Sequence, residues 1–123
     1  NDSYNANLES TKSGIKKLIA LSNKYRKIVV IGDMLELGTM GVNHHRQLGR
    51  FISTQNIDAI FAFGELTKHT VKELEQTEKK YQFFSDKNTL IIELKKYLTK
   101  NDHIYIKGSR GMKMEKIIQE LKK

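Results

Sequence analysis

Cysteine, proline and tryptophan are absent from the 123-residue sequence. The lack of cysteine excludes a secreted disulfide scaffold and a thiolate metal site, and it is compatible with a reducing cytoplasm, where we expect the protein to act. No apolar run approaches the roughly 20 residues that a membrane-spanning helix requires, and no signal peptide is visible, so we expect no membrane partner. The sequence starts at Asn1 within a segment that reads as a loop, which suggests a piece of a longer protein.

Two phosphate-binding signatures are also absent, since the sequence contains neither GxxxxGK[ST] nor GxGxxG. If ATP is used, this chain does not hold its phosphates alone. No nucleophile with a neighbouring base is visible, so we assign no catalytic residue to this chain by itself. His44 and His45 would project about 100° apart on a helix, which argues against a shared metal ion. At a helix start, one of them is more often a surface or capping residue.

The chain has a formal net charge of +8, from 22 basic and 14 acidic residues. Such a balance can indicate nucleic acid or an anionic substrate as the partner. The lysines are spread in pairs such as Lys16-Lys17 and Lys95-Lys96, without a dense tract. We therefore favour solvated helix faces and expect no nucleic-acid partner. A stand-alone nucleotide or nucleic-acid binding module is the alternative, and it would bind nucleic acid with a steep salt dependence.

Strand-like and helix-like hydrophobic patterns alternate along the chain. Short β-branched or aromatic runs predict strands at 27–31, 59–63, 81–84 and 103–106. Helical spacing of apolar residues lies between them, with Asn7, Asn43 and either Ser85 or Asp86 as expected N-caps. The alternation predicts the α/β class: one Rossmann-like, three-layer α/β/α domain over residues 1–123 with a mainly parallel sheet. A fifth strand is expected just upstream of Asn1. The predicted helices carry their apolar residues at 8–19, 48–52, 66–74, 90–98 and 114–121.

The two sets of connecting loops differ in composition. Loops that follow the strands hold most of the glycines and varied polar groups, whereas loops that precede the strands are ordinary charged turns. In an open parallel sheet, ligands bind beyond the carboxyl ends of the strands. The asymmetry therefore predicts a binding site along this edge, and it does so without any resemblance to a known protein.

The loop from Lys107 to Gly111 (KGSRG) leaves a strand and is expected to enter a helix directly. Its glycines allow close approach of a ligand, and free N–H groups at a helix start favour an anion. Lys107 and Arg110 add positive charge, and the guanidinium can grip a carboxylate with two parallel hydrogen bonds. We favour an anion site here over a tight turn with two solvated basic side chains.

The loop from Gly32 to Gly38 (GDMLELG) carries two acids between glycines. Asp33 and Glu36 can hold an ammonium group or a ribose, or they can simply cap backbone amides. A paired-carboxylate acid–base mechanism is the weaker alternative. A receiver-like signalling domain would need clustered acids after its first strand together with a switch lysine, and this acid pair does not have that position.

Four motifs stand out when these segments are taken together: Asp2–Asn7 (DSYNAN), Ile31–Gly38 (IGDMLELG), His45 with Gly49, and Ile106–Gly111 (IKGSRG) followed by Met114-Glu115. In identity, order and spacing they resemble the MurF-type Mur ligases, over nearly the whole chain. One departure is Leu8, where that family usually has proline. Proline suits the first helical position but is not required there.

The resemblance implies the third, C-terminal domain of an ATP-dependent, three-domain ligase that adds D-alanyl-D-alanine to a UDP-linked muramoyl tripeptide in peptidoglycan biosynthesis. In that family the first domain binds the UDP-sugar peptide, and the central domain holds the ATP phosphates and magnesium. The tripeptide carboxylate is activated as an acyl phosphate, which the amine of the dipeptide attacks. The third domain closes over the site and acts by positioning and electrostatics. The chain alone is therefore expected to be inactive, and we expect a monomer.

The resemblance also implies roles for individual residues. Asp2 corresponds to the acid that contacts the ATP ribose, and Tyr4, Asn5 and Asn7 line the same edge, with Asn7 also capping the first helix.

A second set of positions corresponds to the amino-substrate side of the family's site. Lys107, Ser109 and Arg110 sit where the family places groups near the amino substrate, and we hypothesise that they hold the dipeptide carboxylate. Asp33 and Glu36 are expected to help shape that pocket.

Overall fold

The computed structural model describes residues 6–22, 24–35 and 37–123. In this part of the chain, five helices alternate with four strands, as the hydrophobic periodicity predicts. Two 3₁₀ turns, Gly38–Met40 and Arg110–Met112, precede the second and the fifth helix. In chain order the elements are α1 (Leu8–Leu21), β1 (Arg26–Ile31), α2 (Gly41–Ser53), β2 (Ala59–Phe63), α3 (Thr67–Lys72), β3 (Lys80–Phe84), α4 (Lys87–Tyr97), β4 (Asp102–Lys107) and α5 (Glu115–Leu121).

All four strands are parallel and lie in the order β3-β2-β1-β4. The chain moves outwards from β1 to β2 and β3, and it then crosses back to place β4 on the other side of β1. The direction of winding therefore reverses at β1. Such a reversal opens a crevice beyond the carboxyl ends of the two neighbouring strands, here β1 and β4. The expected fifth strand lies outside the described residues.

The two faces of the sheet form two separate hydrophobic cores. Val29, Ile31 and Ile60 point towards α1, α2 and α3. Val30 and Phe61 point to the other side, towards α4 and α5. This arrangement confirms the three-layer α/β/α architecture. Among the described residues, no helix combines the length and the apolarity that crossing a membrane requires.

The predicted helix caps are confirmed at two positions and wrong at one. Asn7 caps α1 in a reciprocal capping box with Ser10, and Asp86 caps α4 by accepting the Thr89 amide hydrogen at 2.8 Å. Asn43 is not a cap, because α2 already begins at Gly41. The 3₁₀ turn that starts at Gly38, in a left-handed conformation (φ 58°), winds the chain into the helix earlier than the polar residue suggests.

Arg26 and Asp102 are neighbours at the amino ends of β1 and β4. The guanidinium donates to both carboxylate oxygens, at 2.7 and 2.6 Å, and it lies 4.2 Å from the ring centre of Tyr97. These hydrogen bonds hold the pKa of the buried Asp102 carboxyl below its usual range. The bidentate pair fixes the register of β1 against β4 and so aligns the opposite ends, where the polar loops begin.

Helices α2 and α3 approach each other closely at Gly49. A methyl group at this position would run into the backbone carbonyl oxygen of Thr70 and would lie 2.8 Å from Cβ of Glu73. Gly49→Ala is therefore expected to lower the free energy of unfolding by about 1–3 kcal/mol. This loss should appear even though alanine in a helix ordinarily gains about 1 kcal/mol over glycine.

Gly41→Ala is the matched control for that substitution. Gly41 has a helical backbone (φ −54°), and a Cβ there would lie in ordinary contact with the Leu66 methyl groups, at 3.7 Å. This variant is expected to gain about 0.4–1 kcal/mol. Urea unfolding measures both variants, and a stability of Gly49→Ala equal to or above the parent would contradict the close packing of α2 on α3.

Candidate functional site

The loops that follow β1, β2 and β4 meet at the carboxyl edge of the sheet. Two of them are called the β1 loop (residues 32–35 and 37) and the β4 loop (residues 108–113). Both leave the sheet at the crevice where the winding reverses. The predicted polar edge therefore coincides with the place where an open parallel sheet binds its ligands.

Backbone hydrogen bonds join the β1 and β4 loops beyond the end of the sheet. The Gly32 amide donates to the Lys107 carbonyl, and the Ser109 amide donates to the Asp33 carbonyl, both at 2.9 Å. The Leu35 amide donates to Oγ of Ser109 at 2.6 Å. The two loops thus form one connected unit, in which Ser109 links them through its backbone amide and its side-chain hydroxyl.

Asp33 joins this unit to the loop after β2. Its side chain is buried, and Oδ1 accepts the amide hydrogens of Leu66 and Thr67 at 3.0 and 2.9 Å, at the start of α3. Gly64 makes room for the carboxylate, because its backbone is left-handed (φ 119°) and a Cβ there would run into Asp33. Of the roles considered for Asp33, capping of backbone amides is the one that these contacts provide.

His45 contacts the β1 loop from the core side. Its ring is completely buried, Nε2 accepts the Met34 amide hydrogen at 3.0 Å, and Nδ1 lies 2.7 Å from the Gly41 carbonyl oxygen. Burial lowers the pKa of this imidazole. One of His44 and His45 was expected to be a surface or capping residue, and His45 is not that one, because α2 turns this position towards the core together with Leu48 and Ile52.

The β4 loop differs from its prediction in how it enters α5, and the burial of Lys107 excludes one alternative. It does not enter a helix directly, because a 3₁₀ turn and a left-handed Lys113 (φ 51°) precede α5. Lys107 is only 2% exposed, so the alternative of two solvated basic side chains does not hold. Arg110 is exposed. Lys87 of α4, whose pKa is lowered by burial, holds the turn by donating to the carbonyls of Met112 and Lys113, both at 3.1 Å.

Met114 fills the space beneath both loops. It is 0% exposed and packs against the backbones of Gly32 and Gly108. A Cβ at Gly32 would lie 2.8 Å from its sulfur, and a Cβ at Gly108 would lie 2.7 Å from its Cγ. Because neither glycine has a side chain, Met114 can pack against the backbones of both loops at once.

The structure brings four of the predicted site residues together at this edge. Asp33 and Ser109 use their side-chain oxygens inside the loop unit, Lys107 is buried at the end of β4, and Arg110 is exposed. Asn7 is exposed and caps α1. The remaining predicted residues, Asp2, Tyr4, Asn5 and Glu36, lie outside the described residues.

Sequence reasoning missed His45, Gly64 and Met114 as residues that shape the site. One signal was available for His45, because positions 45, 48, 49 and 52 share one helical face and the other three are small or apolar. Gly64 follows a buried strand, but nothing nearby in sequence indicates the distant carboxylate that it accommodates. Met114 was assigned to a helical stripe, which did not predict its contact with two loops.

A cavity of about 520 Å³ lies at the opposite, amino ends of the strands. Three of its charged lining residues are engaged within the fold: Arg26 binds Asp102, Asp58 accepts a backbone amide hydrogen, and Lys79 donates to backbone carbonyls. The cavity is polar and open but has none of the predicted site residues. The carboxyl edge is therefore the candidate functional site.

Comparison with known proteins gives matches over nearly the whole chain. Residues 1–110 match the family described as "Mur ligase, glutamate ligase domain". The chain is 37% identical over 123 residues to the UDP-N-acetylmuramoyl-tripeptide–D-alanyl-D-alanine ligase of Bacillus subtilis (strain 168), covering 98% of this chain and 27% of the relative. Its identity to the Escherichia coli (strain K12) ligase of the same name is 32%, over 98% of this chain and 26% of the relative.

Solved structures give the same result for the fold. A crystal structure of MurF from Acinetobacter baumannii superposes with a TM-score of 0.81 at 27% identity, covering 98% of this chain and 27% of that one. The MurF ligase from Thermotoga maritima in complex with ADP gives a TM-score of 0.74 at 24% identity, covering 98% and 26%. The chain thus spans about a quarter of the length of the relatives that it matches. On its sequence and its fold, it belongs to the Mur ligase glutamate ligase domain family.

Proposed function

We propose that residues 1–123 are the C-terminal domain of a longer ATP-dependent ligase that joins D-alanyl-D-alanine to a UDP-N-acetylmuramoyl-tripeptide in peptidoglycan biosynthesis. The observation that carries this proposal is 37% identity, over 98% of the chain, to a ligase named for that reaction. The hydrogen-bonded loops at the carboxyl edge of the sheet support it, because a sheet of this topology binds its ligands at that edge. The chain acts in the cytoplasm, as one domain of a monomeric enzyme.

ATP, when bound by the full-length protein, would supply the free energy for forming the peptide bond. Within residues 6–22, 24–35 and 37–123, no three histidine, aspartate or glutamate side chains come together as a metal site would require. In the MurF-type ligases that the chain resembles, the central domain holds the ATP phosphates and magnesium, and we assign both to that domain of the full-length ligase. The contribution of this domain to the nucleotide is contact with the ribose through Asp2, Tyr4, Asn5 and Asn7.

The amino substrate meets the loop edge of β1 and β4. Arg110 and Lys113 are both exposed on the β4 loop, and of the two only Arg110 carries a guanidinium. Arg110 lies on a turn whose backbone is held by Lys87 at one end, and its neighbour Ser109 is hydrogen-bonded to the β1 loop. A guanidinium on such a fixed turn can bind the dipeptide carboxylate with two parallel hydrogen bonds. Lys107, Asp33 and Glu36 set the charge and shape of the surrounding pocket.

Arg110→Ala in the full-length ligase tests this assignment. We expect the KM for D-alanyl-D-alanine to rise about 10- to 100-fold, which corresponds to the loss of a charge-assisted contact of roughly 1.4–2.8 kcal/mol. The KM for the UDP-linked tripeptide should stay within about twofold. Initial rates of ADP release, measured at varied concentrations of each substrate, give both constants.

Two further variants sharpen this test. Lys116→Ala removes one positive charge from the exposed surface of α5 and should leave both constants unchanged. Arg110→Lys keeps the charge but not the fork geometry, and it should recover only part of the affinity. If Arg110→Ala left the KM for the dipeptide unchanged, the carboxylate role of this residue would be wrong.

A further inference from the structure

The imidazole of His45 is held in one tautomer by its two neighbours. The Met34 N–H can only donate, so Nε2 must accept, and the Gly41 carbonyl can only accept, so Nδ1 must carry the proton. The ring is therefore neutral and oriented at both ends. The His45 backbone is fixed as well, because Thr70 donates from Oγ1 to its carbonyl at 2.8 Å.

Met34 lies in the middle of the β1 loop, between Asp33 and Leu35, which are both hydrogen-bonded to Ser109. The Asp33 carbonyl accepts from Ser109, and the Leu35 amide donates to Ser109. The Met34 amide, in contrast, points into the core, where it donates to Nε2 of His45. Removing that acceptor would leave a buried N–H without a partner, so the loop would have to shift to satisfy it.

We propose that His45 is a positioning residue of the site. Its neutral Nε2 holds the β1 loop in place through the Met34 amide. The hydrogen bonds between the β1 loop and Ser109 then fix the β4 loop, which carries Arg110. This inference rests on the proposed function, because it assigns His45 a role in binding the amino substrate. His45 itself touches no substrate.

Protonation of His45 would break this arrangement, since Nε2–H and the Met34 N–H would then face each other as two donors. The titratable groups that face the ring from neighbouring elements are Asp33, which favours the proton, and His69 and His44, which oppose it. Burial is the largest influence and lowers the pKa of the ring. Between that lowered pKa and about 6.5, the unfolded chain binds the proton and the folded chain does not.

Stability is therefore expected to fall as the pH drops below about 6.5. The equilibrium constant for unfolding should rise by up to about tenfold per pH unit from this residue, until the pKa of the folded state is reached. The dipeptide KM should rise at the acid end over the range in which folded His45 takes up its proton.

Three variants of the full-length ligase test the proposal. His45→Asn keeps a polar group near the Gly41 carbonyl but is too short to reach Met34, and it should raise the KM for D-alanyl-D-alanine about tenfold or more. His45→Gln places an amide oxygen near the position of Nε2, and it should return the KM to within about threefold of the parent and remove the acid rise. Thr70→Val removes the hydrogen bond to the backbone carbonyl of His45 and leaves both ring contacts in place, so it should lower the unfolding midpoint without changing the KM.

Equal KM values for His45→Asn and the parent would overturn the proposal, and so would a rise in Thr70→Val as large as that in His45→Asn. A readout independent of activity is the ¹⁵N–¹H resonance of Met34 in selectively labelled full-length protein. It should titrate with a single pKa below 6.5 in the parent and lose that titration in His45→Gln. A Met34 resonance that is unchanged both by pH and by His45→Asn would overturn the assignment of His45 even in a protein without ligase activity. A parent enzyme that releases no ADP would overturn only the proposed function.

Discussion

Replacing Met114 with alanine is expected to lower the free energy of unfolding by about 2–5 kcal/mol, the range for truncating a buried large side chain. Met114 is 0% exposed and packs against Gly32 and Gly108, so its loss leaves a cavity between two loops and α5. The glycine backbones are tied to each other through the sheet and cannot easily close that space. In the full-length ligase, kcat should fall as well, because both loops of the candidate site rest on this side chain.

Met40→Ala is the matched control, since Met40 is 46% exposed and should change stability by less than about 0.5 kcal/mol. Gly108→Ala alone should also destabilise, because its new methyl group meets Met114. Adding Met114→Ala to Gly108→Ala should cost less than the sum of the two single changes, because the smaller side chain leaves room for the methyl group. Urea denaturation of the four variants measures these differences, and a Met114→Ala protein as stable as Met40→Ala would contradict the packing described.

Replacing Asp33 with alanine is expected to cost about 2–4 kcal/mol. The carboxylate accepts two amide hydrogens at the start of α3, and without it these groups have no acceptor in a buried setting, at about 1–3 kcal/mol for each unsatisfied group. The link between the β1 loop and the loop after β2 would be lost at the same time. Dipeptide binding should therefore weaken even if Asp33 never touches the substrate.

Asp86→Ala provides the comparison for a cap on an exposed helix end. Asp86 accepts the Thr89 amide hydrogen at 2.8 Å on the surface, and its removal should cost about 1 kcal/mol. Chemical denaturation of Asp33→Ala and Asp86→Ala under the same conditions compares the two losses in unfolding free energy. If Asp33→Ala costs no more than Asp86→Ala, the buried cap does not link the loops in the way inferred.

The positions of the strands and the binding edge were predictable from the sequence because they depend on local patterns. The run at 27–31 is apolar on both faces, as a central strand must be, and β1 occupies Arg26–Ile31. The glycine-rich loops after the strands indicated the candidate binding edge because parallel strands all end on the same side. The resemblance to the MurF-type ligases added the family and the expected ligand.

The roles of individual side chains were harder to predict, because they depend on partners far away in sequence. Asp33 caps residues 66 and 67, and Ser109 is bound to the amide of Leu35; no local pattern encodes these distances. The burial of His45 was not predicted, because the N-cap of α2 was expected at Asn43, whereas α2 begins at Gly41. Polar residues in loops can equally face a ligand or tie the loop, and only the fold distinguishes the two.

The most direct test of the account is product formation by the proposed full-length ligase that contains these 123 residues. We expect it to release ADP and to form the UDP-linked muramoyl pentapeptide only when ATP, the tripeptide precursor and D-alanyl-D-alanine are all present, and residues 1–123 alone to form none. Mass spectrometry of the product, together with a coupled ADP assay, measures both. ADP release that is independent of the dipeptide, or a full-length protein that joins no dipeptide to the tripeptide, would contradict the account.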